Sequence, residues 1–544
     1  MAQFSGAVKL ADLNDFIAPS QACVVNINGR KEGAIQLDSN EFINYPEVGA
    51  VQPQPRASPG FQQTAPSGPN GAIKVTLQDC LACSGCVTSA ETVLLEHQSA
   101  AEFLSKLADP ETAVVVSISP QSRAALAAFY GLSPAEALQK LTGFFKGLGV
   151  KAVLDTSTGR DFALLEAAAE FVQRYRTRHP ELSEASRDDP MDVDDRINQS
   201  GEASSSGREA LHSNGSHSHA INGHTSLAHG VRGAQRSQPA DATALPMLAS
   251  ACPGWVCYAE KTHGDYVLPH ISSTKSPQAV MGTLVKRHLA AQWGLRPEQI
   301  YHCAIMPCYD KKLEASREDF NVPGSTVAEV DSVLTSGEVQ QLLEAHGRAL
   351  SELPSAQLDS LVGGIEEDGQ LYGLPGGSGG YLNYIFRTAA AQLFGQDLGP
   401  GPLPMRVLRN ADFQEVSLEV AGRPALRFAL AYGFRNIQTL VRKIKRRACE
   451  YDYVEIMACP SGCLNGGGQI QPQPGQSTQQ LLDQLDTIYH DPQVVPRLPQ
   501  DNPAVAALYK QWVGAPVGTD KAQQLLHTQY HKRDKSIAAT VGDW

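Results

Sequence analysis

Residues 451–468 read YDYVEIMACPSGCLNGGG. An apolar run with strand character breaks at Cys459 into a turn that carries a second thiol, Cys463, and then three consecutive glycines, Gly466 to Gly468. Glycines let a backbone approach a bulky group without a Cβ clash. Two further cysteines share this setting: Cys252 comes just after LPML, and Cys308 ends IYHCAIMPC, each beside a proline (Pro253, Pro307) that lacks an N–H and fixes the turn. All four thus follow the end of a strand candidate. In parallel α/β sheets those carboxyl ends are where ligand sites assemble, and helix amino termini just beyond them stabilise thiolates. The four are therefore expected to converge.

The other four motif cysteines lie in the first hundred residues. Cys80, Cys83 and Cys86 form a C-x-x-C-x-x-C run, and Cys23 stands alone upstream in SQACVV. Thiols at steps of three suit three corners of an iron-sulfur cubane, whereas tetrahedral zinc more often takes separated C-x-x-C pairs. No cysteine follows in VTSAET after Cys86, which leaves Cys23 as the fourth ligand. Eight of eleven cysteines thus fall into two quartets, and four thiolates is the ligand count of one 4Fe-4S cluster. Two such clusters are expected, with zinc as the competing occupant.

Composition narrows the function. Forty-five basic against fifty-seven acidic side chains give a net charge of -12, which argues against a general nucleic-acid surface. The amino terminus lacks a basic-then-apolar leader, and no stretch approaches the ~20 apolar residues of a membrane span. C-x-x-C spacings in a long chain with few cysteines indicate metal chemistry in a reducing compartment. A cytoplasmic location is expected, with the nucleus as a second compartment.

From Thr112 short apolar runs alternate with helical patterns: TAVVVSI, a helix opened by the capping box Ser133-Pro134-Ala135-Glu136, VKAVLD, and a second helix with Phe162, Leu165, Ala169 and Val172 on one face. This is α/β architecture. Three units follow: residues 1–110 as an amino-terminal cluster-binding region, 111–490 as the α/β domain with a disordered insertion over 178–242, and 491–544 as a helical segment and tail. The insertion is Ser, Asp, Gly and His rich, too poor in apolar residues to offset the entropy of ordering. Tyr45 to Asn70 reads as a spacer.

ACPGWV (251–256), MPCYDKKLE (306–314) and EIMACPSGCLNGGGQ (455–469) resemble the iron-only hydrogenase family, with VLTSGE (333–338), GGSGGY (376–381) and LLHTQY (525–530) in support. The resemblance implies two parallel-sheet lobes around a buried cluster held by Cys252, Cys308, Cys459 and Cys463. In that family a two-iron catalytic unit is bridged through the last cysteine, and a second cysteine directly before the first ligand relays protons. Here that position is Ala251, and a methyl group cannot act as a general acid.

The amino-terminal segments ADLNDFIAPSQACV and DCLACSGC resemble the hydrogenase-like assembly factors of the cytosolic iron-sulfur pathway, also called nuclear prelamin A recognition factor-like. That resemblance implies two 4Fe-4S clusters, no two-iron unit and no enzymatic turnover. It implies an adaptor passing clusters from a scaffold P-loop ATPase to a WD40-containing targeting complex, with Asp543 and Trp544 resembling its docking tail. A true hydrogenase is the alternative. Lys311, which would face the two-iron unit in hydrogenases, is retained; its plainer reading is a salt bridge to Glu314.

Other features read as structural. The insertion's His212, His217, His219, His224 and His229 read as incidental, the alternative being a metal-binding tract. Arg442, Lys443, Lys445, Arg446 and Arg447 read as a solvated helix face, the alternatives being a nuclear localisation signal or docking patch. GGSGG lacks the Lys-Ser/Thr ending of a P-loop and reads as close backbone packing. Cys257, Cys303 and Cys449 are expected to be buried structural thiols.

Overall fold

A computed structural model describes residues 98–182, 244–362 and 370–533. The apolar runs become strands because each is bounded by turn residues and flanked by helices that bury both faces. β1 (Ala113–Ile118) lies between β2 (Ala152–Asp155) and β4 (Ile300–Met306), with β5 (Ser332–Thr335) outside β4, so the first sheet runs β2-β1-β4-β5 and is wholly parallel. The second sheet runs β3-β10-β9-β8-β7. β3 (Met247–Ala249), β10 (Tyr453–Met457) and β9 (Arg423–Tyr432) are parallel, whereas β8 (Phe413–Val420) and β7 (Arg406–Asn410) add an antiparallel edge. Short strands β6 (Leu371–Gly373) and β11 (Val494–Pro496) pair separately. The expected two lobes are present, the second with a mixed edge.

The capping box forms as the sequence indicates: Glu136 N donates to Ser133 Oγ at 3.3 Å, and Ser133 N donates back to the Glu136 carboxylate at 3.1 Å. The helix Ser157–Arg178 departs from expectation. Phe162 and Val172 are buried, but Leu165 and Ala169 lie on its partly exposed side. Its deepest residues include Leu164, Ala167 and Phe171, with Phe171 edge-on to Phe428 and Tyr453 at 4.9 and 5.8 Å. The helix is packed almost all round, so its apolar positions spread beyond one stripe. Buried Arg160, Asp161, Glu166, Glu170 and Arg174 then need partners, and they have them.

His302, fully buried in β4, shares a hydrogen bond with Ser117 Oγ (2.9 Å), and its Nδ1 lies 3.3 Å from the Glu329 carbonyl. Burial pushes its pKa down to about 3, with Lys286 adding to the effect. The ordinary value is about 6.5, so the unfolded chain binds more protons than the fold between those limits. The stability that this group contributes is complete above about pH 6.5 and is lost as pH falls through the window. Asp310 and Asp452, raised by burial to about 6, act in the opposite sense. The test is therefore a difference: between pH 7 and 5, His302→Gln should lose about 2 kcal/mol less stability in urea than the wild type. Equal slopes would refute it.

Candidate metal centre

Three segments from the two sheets bring the carboxyl-side cysteines to one place. β3 and β10 are parallel neighbours with Ala249 opposite Glu455, so Cys252 and Cys459 emerge at the same sheet end. Cys252 caps the helix Pro253–Val267, its N–H donating to Ser250 Oγ at 3.0 Å. Its sulfur accepts the Ala458 N–H at 3.4 Å. Cys308 arrives from the other sheet, two residues past the end of β4. Between Cys459 and Cys463 the chain turns through two left-handed residues, Ser461 (φ 59°) and Gly462 (φ 73°). A serine held there costs roughly 1 kcal/mol or more, a strain that accompanies functional turns. Ser378 Oγ accepts the Cys463 N–H at 3.0 Å, and Cys463 Sγ touches Met457 Sδ at 3.8 Å.

The thiols feel one another. Burial pushes Cys252 up to about 12, with Asp310 and then Cys463 adding to the effect. Cys308 is raised well above its usual value by burial, then by Asp310, Cys252 and Cys459. Cys463 is raised chiefly by burial as well, with Lys311 opposing. None of the four is in a disulfide. Among the described residues no three His, Cys, Asp or Glu side chains are close enough to share one metal ion. Four thiols is the ligand count of one iron-sulfur cubane, and the coupling of Cys252 with Cys463 and of Cys308 with Cys252 and Cys459 brings them within reach of one such group.

The backbone around them is closely packed. Gly468 N donates to the Pro307 carbonyl at 2.9 Å, Gly337 N to the Gly468 carbonyl at 3.0 Å, and Gly466 lies so near Pro307 that a Cβ would strike its carbonyl oxygen. A Cβ on Gly468 would meet Thr335 at 2.6 Å and Cys308 Cα at 3.2 Å. Gly466 and Gly468 thus lock the Cys459–Cys463 turn onto the Cys308 segment. GGSGGY acts similarly: a Cβ on Gly377 would press on Leu464 at 2.8 Å, and Ser378 supplies the bond to Cys463.

Lys311 is buried and paired with Glu314 at 3.1 and 3.0 Å, with Ser276 Oγ also at 3.1 Å, as its plainer reading anticipated. Ala251 is buried directly before Cys252. Cys257 and Cys303 are buried, and Cys449 is half-buried. The basic run ends the helix Phe434–Lys445 with Arg442, Lys445, Arg446 and Arg447 exposed, while Ile437, Leu440, Val441 and Ile444 face the core. Cys23, Cys80, Cys83, Cys86, Asp543, Trp544 and the five insertion histidines lie outside the described residues.

Sequence reading missed three contributors. Asp310, inside the MPCYDKKLE run, is a half-buried carboxyl beside Cys308 and Cys252, raised to about 6 by loss of solvent around it. Ser378 was legible only as part of a glycine loop. Glu455 is 2% exposed and accepts Leu382 N and Tyr432 OH, each at 2.7 Å, so it pins the helix Tyr381–Phe394 beside the site. A glutamate inside an apolar strand was its only signal.

The family description "Iron only hydrogenase large subunit, C-terminal domain" matches residues 112–186 and 225–467, and "Iron hydrogenase small subunit" matches 478–533. Among solved structures, a variant of the FeFe-hydrogenase HydA1 from Chlamydomonas reinhardtii is similar with a TM-score of 0.61 and 27% identity. The match covers 79% of this chain and 98% of that one. Protein NAR1 of Arabidopsis thaliana is 44% identical, covering 100% of this chain and 99% of its own. The cytosolic iron-sulfur assembly component 3 of Mus musculus is 44% identical, with 99% of each chain covered. The cytosolic Fe-S cluster assembly factor narfl of Xenopus tropicalis is 43% identical, again with 99% of each chain covered. No helix among the described residues is long and apolar enough to cross a membrane. With end-to-end identity to these assembly factors and a hydrogenase fold beneath it, the chain belongs to the hydrogenase-like family of cytosolic iron-sulfur assembly factors.

Proposed function

We propose that this chain is a non-enzymatic adaptor of cytosolic iron-sulfur protein assembly that carries two 4Fe-4S clusters. One is held by Cys23, Cys80, Cys83 and Cys86, the other by Cys252, Cys308, Cys459 and Cys463. The supporting observation is the meeting of four thiols from two sheets beneath a glycine-lined turn. Bound there, a 4Fe-4S cluster supplies a one-electron carrier with exchangeable iron and sulfide. The chain's own residues supply four sulfurs, the Ala458 N–H to Cys252 and a low-dielectric wall. The adaptor links a scaffold P-loop ATPase to a WD40-containing targeting complex, docking through Asp543 and Trp544. It works in the cytoplasm and serves cytosolic and nuclear clients.

The residues at 1–110 form the cluster-binding module, 111–490 the hydrogenase-like domain and 491–544 the segment that ends in the docking tail. Its carboxyl-side cluster sits between the two sheets, while the amino-side one belongs to a Pro- and Gln-rich region that forms little core. Iron loss to a chelator should therefore be biphasic, with the amino-side site emptying first. A single slow phase for both clusters would contradict this.

A hydrogenase is the second reading, favoured by the 27% identity to HydA1; Lys311, paired with Glu314, does not discriminate between the two. Against it stands Ala251, which offers no proton to a site beside Cys252. Infrared spectra of anaerobically purified protein decide between them. The adaptor shows no carbonyl or cyanide stretches, and their appearance would establish the enzyme.

A further inference from the structure

Glu260 has no exposed surface and lies two turns into the helix that Cys252 caps. Its carboxylate receives both guanidinium nitrogens of Arg317, at 2.9 and 2.7 Å, and Arg317 stands nine residues beyond Cys308. This fork-to-fork pair fastens the Cys252 element of one sheet to the Cys308 element of the other, and planar bidentate geometry makes such a pair directional as well as strong.

A third segment closes over it. His531 N donates to Glu260 Oε1 at 3.1 Å, Arg533 Nε to Oε2 at 3.2 Å, and Arg533 N to the Glu260 carbonyl at 3.3 Å. Asp319 adds a second anchor, 2.8 Å from Arg317, 3.7 Å from His531 and 3.8 Å from Arg533. Tyr530 lies 5.8 Å from the Arg317 guanidinium, and Lys532 crosses Gly264 of the same helix so closely that a Cβ there would meet its Cγ at 2.7 Å. Upstream the segment is held by Thr528 N to the Ser273 carbonyl at 2.7 Å and by Lys275 N to the Leu526 carbonyl at 2.8 Å.

We propose that residues 530–533 form a strap that sets the separation of the Cys252 and Cys308 elements, with Arg533 as a positioning residue for retention of the carboxyl-side core. This rests on the reading of the cysteine quartet as a cluster site.

The test uses the full-length, cluster-loaded protein with an iron chelator. Arg533→Ala leaves Glu260 paired with Arg317, so the fold survives and no buried charge is orphaned. The slow phase of iron release should quicken roughly three- to five-fold, in keeping with a half-exposed ion pair, with the fast phase unchanged and Arg533→Lys restoring most of the difference. The thermal midpoint of the cluster-free protein should stay within about 1 °C of wild type. An unchanged slow phase in Arg533→Ala overturns the strap, as does a cluster-free midpoint that falls in step with the release rate. Cys459→Ala separates the two layers: if it leaves the slow phase intact, the quartet reading has failed and not the strap.

Discussion

Gly466→Ala should empty the carboxyl-side site while the amino-side cluster stays. Gly466 has φ -63° and ψ 144°, a conformation any residue adopts, so the substitution brings no backbone strain of its own. The cost is steric. The new methyl strikes the carbonyl of Pro307, an atom already held by the Gly468 N–H at 2.9 Å and one residue from Cys308. Two backbones meet, neither with a rotamer to yield, so relief requires the Cys459–Cys463 turn to back away from the Cys308 segment. An overpacked contact of this kind costs about 1–3 kcal/mol, and it moves ligands on both sides of the contact. Denaturant midpoints and the electron paramagnetic resonance signal should fall together. Gly147→Ala, where a Cβ would meet nothing within 4 Å, should leave both intact. A Gly466→Ala protein with wild-type signal would refute the cradle.

Glu166→Ala should detach the carboxyl-terminal segment from the rest of the fold. Glu166 has no exposed surface and accepts from Tyr509 OH at 2.7 Å, Gly518 N at 3.2 Å and His527 Nε2 at 3.0 Å. Removing it leaves three donors from residues 503–533 without their acceptor. Each buried unsatisfied group costs about 1–3 kcal/mol, so a loss of roughly 3–5 kcal/mol is expected, in line with breaking a buried charged network. Hydrogen exchange localises the effect. Amides of the helices Pro503–Leu508 and Asp520–Leu526 should lose protection first, while β1 and β4 keep theirs. Uniform loss across the molecule, or none, would count against this attachment.

These two positions illustrate what the chain does and does not disclose before folding. The strands ending at Cys252, Cys308 and Cys459 were legible because an apolar run, a proline or glycine and a thiol coincide at each. Local order dictates those turns. The pairing of β3 with β10, about two hundred residues away, and the insertion of β1 between β2 and β4 depend on packing that periodicity does not encode. The helix Ser157–Arg178 shows the limit most clearly. A sequence that buries Glu166 and Glu170 along with Phe162 and Phe171 blurs the apolar stripe, and the face chosen from spacing alone included Leu165 and Ala169, which are only partly buried.

Around the metal centre, residue type rather than spacing separated what could be read from what could not. Thiols announce ligand chemistry, and the glycines beside them announce close approach. Asp310 and Glu455 carry the charge of surface residues, and only tertiary placement makes the half-buried one and the buried one walls of the site. Ser378 acts through one hydrogen bond to Cys463 N, a contact across 85 residues that no local pattern foretells. Lys311 and Glu314, three apart on one short helix, were within reach of sequence reasoning because helical geometry alone brings them together.

The central claim is that two separate quartets of cysteine each hold their own 4Fe-4S cluster. Iron and acid-labile sulfide determination, with electron paramagnetic resonance of the reduced protein, tests it on wild type, Cys80→Ala and Cys459→Ala. About eight irons and eight sulfides per wild-type chain are expected, with each variant losing about four of each and one of two distinguishable signals. Zinc in place of iron, or loss of both signals from either single substitution, would contradict it.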